Sequence, residues 1–154
     1  MYLHSDNDEF ISLHDCHATK VLFENGVLTF VFEEGFWITP GHPENVTDKT
    51  VRTDSAEVQF VLEVGDEFDV NCYVFNKKFK KTIREDWELS KLIECINDKN
   101  DTLEFLYQYK NYRSMMIECW LWSKKKPYHR ECMLRLSVTD VKYYWNELQK
   151  DRVW

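Results

Sequence analysis

Strict alternation of apolar and polar residues constrains the fold of this chain more than any other feature of its sequence. The alternation is clearest over residues 55–64, where every second residue is apolar: Ala56, Val58, Phe60, Leu62 and Val64. Successive side chains of a β-strand point to opposite faces, so this period of two predicts a strand with one buried face. Val61 is the one residue that breaks the pattern.

A turn signal between two similar segments predicts a hairpin. Residues 19–24 and 27–32 flank Asn25-Gly26, the dipeptide that best supplies the two positive φ angles of a type I′ turn. A further strand over residues 36–39 should end at Pro40, because proline cannot donate a hydrogen bond to a sheet. Residues 40–53 are then predicted to form a loop.

The rest of the chain predicts further strands and two helices. Strands are expected at residues 68–75, 79–84, 102–110, 113–122 and 129–137, with a turn at residues 76–78. Helical spacing of apolar residues predicts a helix over about 87–98, with Asp86 as its N-cap. Apolar residues on one helical face predict a short C-terminal helix over about 140–149: Val141, Tyr144, Trp145 and Leu148.

Together these elements predict an α+β fold, with all 154 residues in a single domain. Short connections favour antiparallel pairing, so we expect a mainly antiparallel, twisted or barrel-like sheet of about 7–8 strands, covered by the two helices. Residues 113–122 are apolar on both faces, which is typical of a central strand covered on both sides. The helices are one candidate cover for the second face, and a bound ligand is the other.

Charge is distributed unevenly along the chain. The net charge is −7, but residues 1–69 contain 15 acidic against three basic residues and carry −12, whereas residues 70–154 carry +5. One interpretation is that the acids attract a basic partner protein, with four candidate contacts: Glu33, Glu34, Glu44 and Asp48. The other interpretation is that the acidic and basic parts lie side by side in the fold and offset each other.

Lysine-rich segments raise the question of nucleic-acid binding. Two clusters occur, Lys77-Lys78 with Lys80-Lys81, and Lys124–Lys126. Phe75 and Phe79 lie close to the first cluster, and bases can stack on such rings while lysines contact phosphates. The isoelectric point near 5.2 argues against this interpretation, because nucleic-acid-binding domains usually present a basic face. Nucleic acid is therefore not an expected partner.

The aromatic content is high, with six Trp, eight Tyr and ten Phe. Four of these residues are candidate walls of a small-ligand pocket: Trp37, Tyr107, Trp120 and Trp122. Ligand sites are mostly apolar with a few polar groups, which such residues would supply. The alternative is that most of the large aromatic side chains fill the core.

A polar cluster at residues 14–17 brings together two imidazoles, a carboxylate and a thiol: His14, Asp15, Cys16 and His17. In an extended segment, alternate residues point in opposite directions, so at most two of the four reach one metal ion, whereas zinc needs three or four ligands. The same geometry keeps a histidine base away from the Cys16 thiol. We therefore expect no metal site, cofactor or catalytic residue, and a structural role in the turn before the first hairpin.

Cysteine usage and hydropathy indicate the cellular setting. Five cysteines without a Cys-x-x-Cys pair predict neither a disulfide framework nor a zinc ribbon. No apolar run approaches the roughly 18 residues of a membrane span, and the N-terminal segment is polar and acidic, so we expect a cytoplasmic protein without membrane association.

These features favour a non-enzymatic interaction protein. By charge, it would be an inhibitor or immunity-type protein that binds a basic partner through its acidic N-terminal half. The alternative is a small-ligand-binding domain with an aromatic pocket, and an enzyme that uses Cys16 is the third hypothesis.

Overall fold

The computed structural model describes residues 2–4 and 8–154, with side chains from residue 9 onwards. The described residues contain one α-helix, α1 (Leu89–Asn97). The strands are β1 (Tyr2–His4), β2 (Ile11–Ser12), β3 (Cys16–Ala18), β4 (Lys20–Glu24), β5 (Val27–Phe32), β6 (Trp37–Ile38), β7 (Val51–Thr53), β8 (Ala56–Leu62), β9 (Val70–Lys78), β10 (Lys81–Trp87), β11 (Thr102–Asn111), β12 (Ser114–Trp122), β13 (His129–Trp145) and β14 (Leu148–Val153).

The long strand β13 connects two arms of a ten-stranded antiparallel sheet. In the first arm, the second half of β13 pairs with β1 and β8, followed by β5 and β4. In the second arm, the first half of β13 pairs with β9 and β12, flanked by β10 on one side and by β11 and β3 on the other. A separate antiparallel sheet has the order β14-β7-β6-β2. The predicted α+β class with a mainly antiparallel sheet is confirmed, with more strands than the about 7–8 expected.

The ten-stranded sheet does not close, so the barrel-like form of the prediction is not found. The main path of the sheet runs from β3 to β4, which are separated in the chain by Thr19 alone. Because β3 pairs with β11 and β4 pairs with β5, the chain crosses from the second arm to the first at this residue. The arms are therefore linked there by the chain itself and not by a continuous ladder.

Aromatic side chains fill the core between the two arms. Phe30 and Phe32 of β5 contact Phe105 of β11, and both ring-centroid distances are 5.2 Å. All three side chains are fully buried, and their edge-to-face arrangement adds to the stabilisation from apolar burial. These rings therefore hold the first arm against the second.

Helix α1 confirms the predicted helix over about 87–98, although it begins later than expected. Leu89, Leu92, Cys95 and Ile96 are buried, and the helix contacts β4 of the first arm and β9 of the second. The Asn97 side chain donates to the Val21 carbonyl at 2.7 Å and accepts from the Val21 N–H at 2.9 Å. Because β4 is at the end of the sheet path, these bonds satisfy backbone groups that an edge strand would leave open. Asp86 lies in β10, so it is not the N-cap; that position is Glu88, which makes no side-chain capping bond.

The predicted C-terminal helix over about 140–149 is wrong, because this segment consists of the end of β13 and the start of β14. Val141 pairs with Phe60, and Tyr143 pairs with Val58, so the segment extends the first arm beside β8. The apolar residues of this segment fit a strand as well as a helix, and pairing with β8 buries Tyr143 and Trp145. Tertiary pairing therefore overrides a local pattern that fits both structures.

The observed turn lies where the sequence predicts it in one hairpin and at a different position in another. The β4–β5 hairpin has φ of 51° at Asn25 and 74° at Gly26, as its type I′ signal predicts. The turn expected at residues 76–78 lies instead at Phe79 and Lys80, where φ is 49° and 65°. Residues 76–78 belong to β9 and pair with β10.

Strand β12 is central, but its second face is not covered by a helix. Met115, Ile117, Cys119 and Leu121 are buried in the core. On the opposite face, Trp122 remains 39% exposed. The expected two-helix cover is wrong because one of the two helices does not form, and α1 packs on β4 and β9. An open face with tryptophan side chains is the result.

Candidate functional site

The polar cluster at residues 14–17 forms the turn between β2 and β3 and the start of β3. His14 Nδ1 lies 2.6 Å from the carbonyl oxygen of Leu106. His17 Nδ1 lies 3.3 Å from Thr102 Oγ1. The two imidazoles therefore contact different positions of β11 and do not converge on one site.

Cys16 lies inside the core beside this turn. Its side chain is fully buried, and its Sγ is 3.5 Å from the His14 carbonyl oxygen. Burial raises the pKa of the Cys16 thiol to about 12, so the reactive thiolate is scarce at neutral pH. Asp15 points elsewhere, with its carboxylate 3.4 Å from His14 Nε2. The turn is thus bonded to β11 through His14, and the thiol beside it is buried with a raised pKa.

We expect all five cysteines to resist a thiol reagent in the native protein. Each is free and buried, and burial raises the pKa of the Cys16, Cys95 and Cys119 thiols. At about pH 8 a colorimetric disulfide reagent should detect no fast-reacting thiol, and five after addition of denaturant. One rapidly modified thiol in the folded protein would contradict this and return Cys16 to the candidate nucleophiles.

The four acidic candidates lie in two loops that flank β6. Glu33 and Glu34 form the turn before β6, and Glu44 and Asp48 lie in the loop of residues 39–50. All four are exposed. We call these four residues the acidic edge.

Asn45 gives the loop of residues 39–50 a defined shape. Its buried side-chain amide donates to the carbonyl oxygens of Ile38 at 3.0 Å and Lys49 at 2.8 Å. Its Oδ1 accepts from the Thr47 N–H at 3.2 Å. The neighbouring Val46 is 82% exposed. Hydrogen bonds of the buried Asn45 side chain therefore stabilise the loop, and Val46 is exposed between Glu44 and Asp48.

Some acidic residues pair with basic residues from the other half of the chain. Glu34 Oε2 accepts from Arg152 Nη2 at 2.7 Å, and Glu63 Oε1 accepts from Arg113 Nη1 at 2.7 Å. Part of the charge separation seen in the sequence is therefore offset within the fold. Glu33 and Asp48 make no ion pair among the described residues.

The four candidate ligand-binding aromatics divide between two places. Trp37 and Tyr107 belong to a row of rings that also includes His14 and the terminal Trp154. The centroid distances are 5.3 Å from Trp37 to Trp154, 5.9 Å from Trp154 to His14 and 5.2 Å from His14 to Tyr107. An open groove of about 370 Å³ lies beside this row, and Gln108 is one of its walls.

Trp120 and Trp122 form the second aromatic cluster, on the open face of the second arm. Their centroids are 6.1 Å apart, and His129 lies 4.5 Å from Trp120 and 5.2 Å from Trp122. Trp122 Nε1 donates to Glu104 Oε2 at 2.6 Å. The other carboxylate oxygen of Glu104 lies 3.7 Å from His17 Nε2. His17 of the polar cluster therefore lies beside Glu104, the residue that accepts a hydrogen bond from Trp122 in this second aromatic cluster.

Two grooves lie near the second aromatic cluster, and Trp120 and His129 of that cluster line the first of them. The first, of about 420 Å³, is lined in part by Lys77 and Lys78. The second, of about 470 Å³, is lined in part by Lys124–Lys126. Pro127 and Arg130 line both grooves. Lysines that are distant in sequence thus line two grooves that share two residues.

Comparisons with protein-family models, curated proteins and solved structures gave no significant match. In the part of the chain that the structure describes, no helix has the length and apolar character needed to span a membrane. The same part holds no group of three or more His, Cys, Asp or Glu side chains placed to bind a metal ion.

Proposed function

We propose that this chain is a non-enzymatic interaction protein that binds a basic partner protein through the acidic edge. The observation that carries the proposal is the loop of residues 39–50, which Asn45 holds in one conformation. A loop that is ordered before binding loses less conformational entropy when the complex forms. Charged side chains on such a loop also accelerate encounter with a partner of opposite charge.

The acidic edge combines charge with an apolar contact. Val46 is exposed between Glu44 and Asp48, and apolar contacts at the centre of an interface contribute more to affinity than charges at its rim. The first acidic loop ends at Gly35, and the second begins at Thr39. These residues are four positions apart, so their Cα atoms are at most about 14 Å apart. One partner surface can therefore contact both loops.

The remaining chemistry supports binding over catalysis. Cys16 is buried as a thiol with its pKa raised to about 12. Five free cysteines also support action in a reducing compartment such as the cytoplasm. An inhibitor or immunity-type protein that covers a cationic site on its partner fits this combination.

Reversing the charge of Glu33 and Asp48 tests the proposal. These two residues are chosen because Glu34 is paired with Arg152, and Glu44 accepts a hydrogen bond from Trp145. We expect Glu33→Lys with Asp48→Lys to weaken binding to an immobilised basic protein, such as lysozyme, by about tenfold at low salt. Surface plasmon resonance at several salt concentrations measures the loss.

A matched control distinguishes the effect of the acidic edge on binding from the effect of net charge. Glu24→Lys with Glu67→Lys makes the same change in net charge at exposed positions outside the acidic edge. The control should bind within about twofold of the unmodified protein. Equal losses in both double variants would show that net charge alone is responsible and would contradict the proposal.

A second candidate function is small-ligand binding in the groove beside Trp154. Gln108 lines this groove, and its Nε2 is buried without a hydrogen-bond partner among the described residues. An unpaired buried donor favours a ligand that supplies an acceptor atom. A planar molecule with a carbonyl or carboxylate group, retained in native mass spectrometry, would support this function.

A further inference from the structure

We propose that a second surface of this protein, distinct from the acidic edge, binds single-stranded nucleic acid. It consists of the two grooves that share Pro127 and Arg130, together with the nearby rings of Trp120, Trp122 and His129. We call it the Pro127 surface.

The Pro127 surface concentrates positive charge. Lys77 and Lys78 approach it from β9, Lys124–Lys126 from the loop between β12 and β13, and Arg130 from β13 itself. Lys99 also lines it but is paired with a glutamate, Glu94, at 2.8 Å. The carboxylates that line the grooves are Asp101 and Glu131, and Asp101 already accepts a hydrogen bond from Ser123. Five exposed lysines and the partly buried Arg130 therefore lie beside the two carboxylates of the grooves and that of Glu104, which is bonded to Trp122.

Arg130 supplies a donor that lacks an acceptor. Its guanidinium stacks on the Trp87 ring at 4.9 Å from the centroid, and its Nε is buried without a hydrogen-bond partner among the described residues. Buried donors of folded proteins are nearly always paired. Arg130 lines both grooves, and arginine binds phosphate well because its donors form a planar fork.

The rings beside these cations distinguish nucleic acid from an acidic polypeptide. Trp122 is 39% exposed and Tyr128 is 55% exposed. The bond from Trp122 Nε1 to Glu104 holds the indole in place before any ligand arrives. Bases stack on fixed, exposed rings while neighbouring lysines contact the phosphates. An acidic polypeptide would use the cations but leave the rings without a matching group.

The low isoelectric point does not argue against this local surface. Charges separated by more than about 8–10 Å of solvent are largely screened at physiological ionic strength. The acidic edge flanks β6 of the four-stranded sheet, whereas the Pro127 surface lies on the second arm of the ten-stranded sheet. The charge that a phosphate encounters is therefore that of the nearby lysines and Arg130, partly offset by Asp101, Glu131 and Glu104.

Fluorescence anisotropy with a labelled oligothymidine of roughly 20 nucleotides tests the proposal. We expect binding at about 50 mM salt that weakens at least about tenfold by about 200 mM, because lysine contacts release counterions from the phosphates. Lys124→Glu with Lys126→Glu should weaken binding by at least about tenfold and flatten the salt dependence. Trp122→Ala should weaken it by about tenfold while leaving the salt dependence unchanged, as loss of a stacking contact would.

Two controls make the result decisive. Lys20→Glu with Lys150→Glu makes the same charge change at exposed positions outside the grooves and should retain binding within about twofold. Polyglutamate should compete poorly with the oligonucleotide. Equal competition by polyglutamate, together with unchanged affinity of Trp122→Ala, would assign the surface to an acidic polypeptide and overturn the proposal. Absence of binding by the unmodified protein at about 50 mM salt would also overturn it.

Discussion

Phe105→Ala should lower the free energy of unfolding by about 3–5 kcal/mol. Phe105 is fully buried, and its ring contacts Phe30 and Phe32 of the opposite arm. The substitution removes the ring and leaves a cavity where the two arms meet, so the loss of transfer free energy and the cavity add. For a chain of this length the midpoint of thermal unfolding should fall by roughly 6–20 °C. Denaturant unfolding followed by circular dichroism measures the change.

Phe68→Ala provides the matched control, because it removes the same atoms from a side chain that is 85% exposed. Its effect should stay within about 0.5 kcal/mol. Comparable destabilisation by the two substitutions would contradict the assignment of Phe105 to the contact between the arms.

Gly35→Ala should destabilise the protein by about 2–4 kcal/mol. Gly35 has a φ of 75°, which is unfavourable for alanine. An added Cβ would also clash with the backbone oxygens of Thr53 and Asp54 and with Thr53 Oγ1. These atoms cannot easily move, because Thr53 Oγ1 accepts from the Phe36 N–H and the Thr53 N–H donates to the Phe36 carbonyl. Chemical denaturation measures the loss.

Gly65→Ala isolates the contribution of the backbone angle. Gly65 has a φ of 90°, but a Cβ there would meet only Gly26 Cα, at 3.5 Å. We expect a cost of about 1–2 kcal/mol from the conformation alone. If both variants lose the same stability, the close approach of Gly35 to β7 does not contribute, and this explanation is wrong.

Sequence periodicity predicted the elements that depend on neighbouring residues. Alternation over residues 55–64 corresponds to β8, and Asn25-Gly26 forms the turn between β4 and β5. Helical spacing of apolar residues corresponds to α1. These patterns are reliable because turn chemistry and side-chain period act within a few residues of each other.

The pattern of apolar residues predicted the wrong element where it fits a helix and a strand equally well. Residues 141–148 place apolar side chains on one helical face, and every second residue from Val141 to Trp145 is also apolar. The partner strand β8 decides between them, because it pairs with β13 and its Val58 and Phe60 are buried in the core. No local signal contains the position of β8, so the sequence predicted a helix at this point.

For the candidate surfaces, too, the sequence and the tertiary structure supply different information. The sequence alone located the acidic residues, the lysine clusters and the aromatic side chains, and apolar residues on both faces of residues 113–122 indicated that β12 is central. Only the tertiary structure separated Trp37 and Tyr107 from Trp120 and Trp122, and placed Lys77 and Lys78 with Lys124–Lys126 around Arg130. Strand pairing between distant segments determines which side chains become neighbours, and that pairing depends on burial across the whole sheet. The sequence by itself therefore determined which groups are present and most of the local elements, whereas the pairing of β9, β12 and β13 decided which groups form one surface.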